Sequence, residues 1–385
     1  MRFRLVIVVA LLSSAPLILL VAGCDALACG PAPGTVCADD GRPEPPCYVC
    51  QNGAWREQHW DPATDGGTYR PAFKTCSSSD LPPMATVDWE HPVLTGAVLL
   101  AGAPDHSAQD VIAIEDQSTT IPGKFAYGDI SKDLEGEYVE VYLDDCSGQL
   151  RLIGETLTDS DGRIALSVPW NERPPVGAHR LHFRVKGDDS RTSSWLRVVP
   201  PGTKAMVADI DGTLTTSDLE LFQDIFSEYF DQLGAGAYVP EARAGAIDLT
   251  LRRRVEQGYL LILVTGRPYY LTDITREWLE TTGVAPAHLH VTDSNAEAVP
   301  SDTGVGAFKA DYLNGLKAMG LDLVAAYGNA TTDIYGFEQA GIDKASTFIL
   351  GKHGGESGTV ALGEDYLQHL QDIAAEPPAT QPFDG

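Results

Sequence analysis

The stretch Ala205-Met-Val-Ala-Asp209-Ile-Asp211-Gly-Thr213-Leu-Thr-Thr-Ser-Asp218 is an apolar run that ends in two alternating carboxylates and a glycine. Side chains alternate faces along a strand, so Asp209 and Asp211 point one way and Ile210 the other. Two carboxylates confined to one small volume repel each other unless a proton or a cation compensates, and a divalent metal is the usual compensation beside a phosphate site.

From this stretch to the C-terminus, apolar strand-like runs alternate with helical ones. The expected strands are Lys204–Asp209, Tyr259–Val264, His288–Val291, Leu321–Tyr327 and Ser346–Leu350, with helices near 240–257, 268–282, 308–319 and 331–340. Near-continuous apolar strands separated by helices predict a parallel sheet covered on both faces. Ligands of such sheets bind beyond the carboxyl ends of the strands.

Three further signals fall at those ends. Leu260-Leu-Ile-Leu-Val264 runs into Thr265-Gly266-Arg267-Pro268, a hydroxyl and backbone N–H groups expected at a helix N-terminus and suited to a phosphate. Lys309 sits near the start of the next helix, where the dipole disfavours a cation and an anionic partner would explain it. Leu323-Val-Ala-Ala-Tyr-Gly328-Asn329-Ala-Thr-Thr-Asp333 brings an amide and a carboxylate to a strand end, hard oxygen donors that suit Mg²⁺. Taken singly, Thr265, Asn329 and Asp333 also read as helix caps and Lys309 as a surface residue.

As an ordered set, Asp-x-Asp-Gly-Thr, Thr-Gly-Arg, Lys and Gly-Asn-x-x-x-Asp resemble the four motifs of the haloacid-dehalogenase superfamily. Within it, residues 203–352 look most like the lipin phosphatidate phosphatases and the C-terminal domain of phosphatidylinositol-transfer proteins of the RdgB/Nir type. The likeness is carried by Asp209–Asp218, Arg267 with Asp273-Ile-Thr-Arg276, Phe308-Lys309 with Leu313, and Ala325–Asn329 with Asp333-Ile-Tyr335. It implies an α/β fold, a Rossmann-like parallel sheet of haloacid-dehalogenase type; the residues ahead of it read, from their own patterns, as a small β-sandwich and a disulfide-rich N-terminal segment. It implies Asp209 as nucleophile forming an aspartyl-phosphate and Asp211 as acid and base. Mg²⁺ would be held by Asp209, the Asp211 carbonyl and Asn329 or Asp333, with Thr265, Gly266 and Lys309 on the phosphoryl oxygens. Arg276 is either a substrate contact or a solvent-facing helix residue. The expected activity is a Mg²⁺-dependent phosphatase acting on phosphatidic acid or a related phospholipid. The alternatives are a non-catalytic phosphatidic-acid-binding module and a tethered phosphatase for soluble phosphomonoesters.

Working outward, Leu219–Leu233 spaces Phe222, Ile225, Phe226, Tyr229 and Phe230 as one face of an amphipathic helix, directed to the core or to a lipid. Residues 85–200 carry short alternating runs, among them Tyr138–Leu143, Gly162–Val168 and His179–Val185. Bounded by turn chemistry, they predict an antiparallel β-sandwich serving as a spacer or docking platform. Asp159, Asp161 and Asp188 read as solvated turns rather than a calcium loop.

The N-terminus reads as a bacterial lipoprotein signal over residues 1–23: Arg2 and Arg4, an apolar run Leu5–Ala22, then Gly23-Cys24, with Cys24 carrying the lipid. A transmembrane anchor is the alternative. Lipidated Cys24 would place the chain at the bacterial cell envelope, facing the periplasm or the outer surface. The remaining six cysteines, Cys29, Cys37, Cys47, Cys50, Cys76 and Cys146, form an even set suited to disulfides in an oxidising compartment. Residues 24–84 are expected to be loop-rich, with Trp55 and Trp60 as a small core or an exposed patch. Residues 203–375 form the phosphatase-like domain and 376–385 a disordered tail. A net charge of −27 excludes nucleic acid as a partner and provides no basic patch for anionic lipid.

Overall fold

The computed structural model describes residues 47–51, 54–59, 70–71 and 81–379, leaving out positions 116, 129–130, 145–149, 170–173, 175, 217–240, 285–286 and 295. The signal segment, Cys24, Cys146, the helix expected over 219–233 and residues 380–385 lie outside the described residues.

The chain divides into two compact units, residues 1–72 and 73–385. In the first, β1 (Cys47–Gln51), β2 (Ala54–His59) and β3 (Arg70–Pro71) form an antiparallel sheet rather than loops alone. The β1–β2 pairing closes on Gln51 and Ala54, and the intervening Asn52-Gly53 is a strong two-residue hairpin signal.

The second unit opens with helix α1 (Pro92–Leu99) and then β4 (Val111–Ile114), β5 (Thr119–Lys124), β6 (Ala126–Tyr127) and β7 (Lys132–Asp133). There follow β8 (Tyr138–Asp144), β9 (Leu150–Leu157), β10 (Arg163–Val168), β11 (Gly177–Val185) and β12 (Arg191–Val199). A five-stranded sheet ordered β4-β12-β11-β8-β9 is one layer, and the β5–β10 pair supplies the facing one. Alternation makes the core: Val139, Val141, Leu143, Leu181, Phe183 and Val185 from one layer pack with Ile121, Ile164 and Val168 from the other. The sheet is antiparallel except at β4, which runs parallel to β12. Asp159 Oδ1 accepts from the backbone N–H of Asp161 and Arg163, as a turn carboxylate does.

Beyond Pro200–Gly202 lies a six-stranded parallel sheet: β13 (Lys204–Ala208), β14 (Leu260–Pro268), β15 (His288–Thr292), β16 (Asp322–Gly328), β17 (Thr347–Leu350) and β18 (Val360–Gly363). Its order β15-β14-β13-β16-β17-β18 is doubly wound and reverses between β13 and β16. The helices are α2 (Ala246–Leu251), α3 (Thr272–Thr282), α4 (Ala307–Met319), α5 (Thr331–Gln339) and α6 (Leu367–Asp372). β18 is the strand that periodicity missed, since its four residues alternate between half-buried and exposed at the sheet edge.

The sandwich is no detached spacer. Ile112, Ile114 and Val199 from β4 and β12 enter the same core as Ala205, Val207, Leu260, Ile262 and Leu313. Buried polar contacts stitch the seam: Gln109 exchanges hydrogen bonds with the backbone of Val291, and Ser107 bonds Thr272.

Candidate active site

The switch in strand order opens a crevice at the carboxyl ends of β13 and β16. Asp209 follows β13 directly, its N–H donating to the Tyr327 carbonyl on β16 (3.0 Å). The chain then turns tightly at Gly212, which adopts φ +72°, a left-handed conformation that favours glycine. Thr215 Oγ1 accepts from Gly212 N, and Arg243 Nη2 donates to the Gly212 carbonyl, so the turn is held from both sides.

Lys309 enters from the first turn of α4 and is buried. Its ammonium donates to Asp209 Oδ1 at 2.6 Å and to Asp333 Oδ1 at 2.5 Å. These are the anions that a cation at this helix end needs. Burial opposes the lysine charge, yet the two carboxylates hold it above the usual lysine range. One cation between two buried carboxylates leaves the pair undercompensated. Burial, with Asp333 and Asp211 nearby, pushes Asp209 up to about 7 despite Lys309.

Asp333 has two duties. Its Oδ2 accepts from the N–H of Asn329 (2.9 Å) and Ala330 (3.0 Å), closing the start of α5, while Oδ1 meets Lys309. The helix-cap reading of Asp333 thus describes Oδ2, while its other oxygen pairs with Lys309. Thr213 Oγ1 lies 3.3 Å from Asp209 Oδ2 and 3.0 Å from Asn329 Oδ1, so those two oxygens converge on one hydroxyl.

Asp211 is gripped by Arg267, with Nε to Oδ2 at 2.8 Å and Nη2 to Oδ1 at 2.7 Å. Arg267 Nη1 donates to Thr275 Oγ1 (2.9 Å), and Thr265 Oγ1 reaches Asp211 Oδ2 at 3.3 Å. The Thr265–Pro268 segment is an extension of β14, not a helix N-terminus; a short 3₁₀ turn, Tyr269–Leu271, intervenes before α3. Thr265 is therefore directed to Asp211, and Gly266 is the member of that motif on the cavity wall.

The cavity measures about 220 Å³ and is lined by Asp209, Asp211, Gly266, Lys309, Asn329 and Asp333 together with Lys352 and His353. Lys352 and His353, between β17 and β18, carry no periodic or motif signal and were not among the expected site residues. His353 Nδ1 lies 2.8 Å from Glu356 Oε1.

Arg276 stands apart from this group. It turns to the sandwich, donating to Asp110 Oδ1 (2.7 Å) and the Ala108 carbonyl (2.9 Å), and does not line the cavity that holds Asp209 and Asp211. Asp110 is fully buried and also meets Arg197 at 3.1 Å.

Among the described residues no cluster of three or more Asp, Glu, His or Cys side chains has metal-binding geometry. The convergent Asp209 and Asn329 oxygens nevertheless fit Mg²⁺, which takes one or two carboxylates, completes its shell with water and substrate oxygens, and needs no all-protein cage.

Residues 206–351 match the family model described as PITM 1-3, LNS2 domain, and residues 104–198 match that described as PITM 1-3, beta-sandwich domain. The chain is 32% identical over 279 residues to Protein retinal degeneration B of Drosophila melanogaster, covering 71% of this chain and 20% of the relative. It is 28% identical over 277 residues to Membrane-associated phosphatidylinositol transfer protein 1 of Homo sapiens, covering 70% and 20%. The chain thus spans about a fifth of the length of these curated relatives. Its sandwich and α/β regions are homologous to domains of that protein group.

Proposed function

We propose that this chain binds the phosphomonoester headgroup of phosphatidic acid, or of a closely related phospholipid, at the carboxyl edge of its parallel sheet. The observation that carries this reading is the fork of Arg267 on Asp211. A carboxylate whose two oxygens are both engaged by one guanidinium is fixed in place as a hydrogen-bond acceptor and is not free to turn towards a leaving group. A cavity of about 220 Å³ suits a phosphate and its water, leaving acyl chains outside. The human relative is named a membrane-associated phosphatidylinositol transfer protein, which supports a phospholipid ligand.

In this reading Lys309 and the Gly266 N–H face the phosphoryl oxygens, and the exposed Lys352 adds charge at the rim. Asp209, Asn329 and the Asp211 carbonyl would hold Mg²⁺, which would supply the positive charge a dianionic ligand needs beside acidic side chains.

Hydrolysis is the second reading, favoured by the presence of both Asp209 and Asp211 on the cavity wall. Asp209 would attack phosphorus and Asp211 would protonate the departing alkoxide, which requires the Arg267 fork to open. The deciding experiment pairs vesicle binding with phosphate release from phosphatidic acid in Mg²⁺, for wild type and Asp209→Asn. Binding without release above the variant supports the module; release that Asp209→Asn abolishes replaces it with the phosphatase. Lipid anchoring through Cys24 at a bacterial envelope belongs to the same proposal, and Cys24→Ser then moves the chain from the membrane fraction to the soluble one.

A further inference from the structure

Helix α1 is held in an unusual way. The carboxylate of Glu137, buried on the sandwich, accepts the N–H of Glu90 and His91 and the hydroxyl of Thr95, so a fixed anion closes the helix N-terminus. Thr95 and Val98 face inward, while Val93, Leu94 and Leu100 stand 86%, 66% and 88% exposed. From Pro92 to Pro104 there is no charged residue, and Thr95, already bonded, supplies the one polar side chain.

The turn after α1 is tied to the candidate site. Gly128 N donates to the Ala103 carbonyl, and a side chain at Gly128 would strike the Ala101 carbonyl at 2.1 Å, so glycine permits this contact. The same hairpin carries Ser131, whose hydroxyl meets Tyr269 at 3.1 Å. Tyr269 and the partly exposed Tyr270 follow Gly266 and Arg267 by a few residues, at the carboxyl edge of the sheet. The turn after the apolar helix is thus linked, through Gly128 and Ser131, to Tyr269, which follows the cavity residue Gly266 in sequence.

We propose that α1 and the turn Leu100–Pro104 insert into the acyl layer of a phospholipid bilayer and seat the phosphate cavity at headgroup level. An exposed apolar patch of this kind marks an interaction surface. Its outward face offers no charge and no hydrogen-bonding side chain, which matches hydrocarbon rather than the polar rim of a protein partner. The chain's net charge of −27 repels anionic headgroups, so what this face offers a lipid surface is apolar side chains rather than charge. Continuity with the candidate phosphate site gives the insertion a purpose. The inference rests on the lipid-headgroup reading above.

The test places tryptophan in the full chain as Leu94→Trp and compares it with wild type on phosphatidylcholine vesicles, with and without phosphatidic acid, whose acyl chains carry bromine. Insertion predicts bromine quenching of the added tryptophan on both vesicles, and loss of that quenching when Leu100→Asp is combined with it. An added tryptophan that stays open to acrylamide in the presence of vesicles overturns the proposal. One shielded from both acrylamide and bromine also overturns it, because another segment or a second copy then covers the helix. Binding of a water-soluble short-chain phosphatidate, measured on the same variants, separates a failure of the helix from a failure of the cavity reading.

Discussion

Arg267 and Asp211 form a two-pronged ion pair in the centre of the site, at 2.8 and 2.7 Å, with both side chains buried. Removing one partner of such a pair leaves an uncompensated buried charge at a cost of about 3–5 kcal/mol. Arg267→Met is expected to lose stability in that range in urea unfolding. Arg267→Lys falls between, because an ammonium keeps the charge but cannot reproduce the fork.

Lys309 is ion-paired to both Asp209 and Asp333. Lys309→Met therefore leaves two buried carboxylates facing each other, and the variant should depend on Mg²⁺ for its fold more than wild type does. Thermal melts with Mg²⁺ and with EDTA measure this. Wild type should gain stability from Mg²⁺, and Asp209→Asn should lose most of that gain.

At the seam, Asp110 accepts four hydrogen bonds, from Arg276, Arg197 and the backbone N–H of Trp195 and Leu289. Although burial would raise it, Arg276 and Arg197 hold this carboxyl well below the usual range. Asp110→Asn should cost about 3–5 kcal/mol. It should also loosen the sandwich from the α/β half, turning one unfolding transition into two in calorimetry.

Stability should fall on acidification. Burial pushes His106, His290 and His369 from 6.5 down to about 4, so between those values the unfolded chain binds more protons than the folded one. Their contribution is complete above pH 6.5 and is lost as pH falls towards 4. Asp209, raised to about 7, opposes them with a single proton. The melting temperature should decline through that window, and His106→Gln should flatten the decline.

Strand and helix alternation after Pro200 was legible because each element keeps one period, and the ordered motifs named Asp209, Asp211, Lys309, Asn329 and Asp333, all of which line one cavity. Contacts fixed by tertiary packing were not. Arg276 reads as a helix-surface residue until Asp110, distant in sequence, is folded against it. Arg267 sits inside a recognised motif, but its grip on Asp211 depends on the pairing of β13 with β14. Lys352 and His353 reach the site only because β17 and β18 end beside it. α1 escaped notice because its residues, the inward-facing Thr95 aside, carry no polar side chain, so no amphipathic period announces a helix.

In the proposed function the cavity reads a phosphomonoester. Titration calorimetry of the full chain with short-chain phosphatidic acid and short-chain phosphatidylcholine, in Mg²⁺, tests it most directly, with Lys352→Ala as an exposed rim variant. The monoester should bind, the diester should not, and the variant should bind the monoester about tenfold more weakly, as expected for loss of one charge-assisted bond. Equal binding of the two lipids, or no binding of either, would contradict the account.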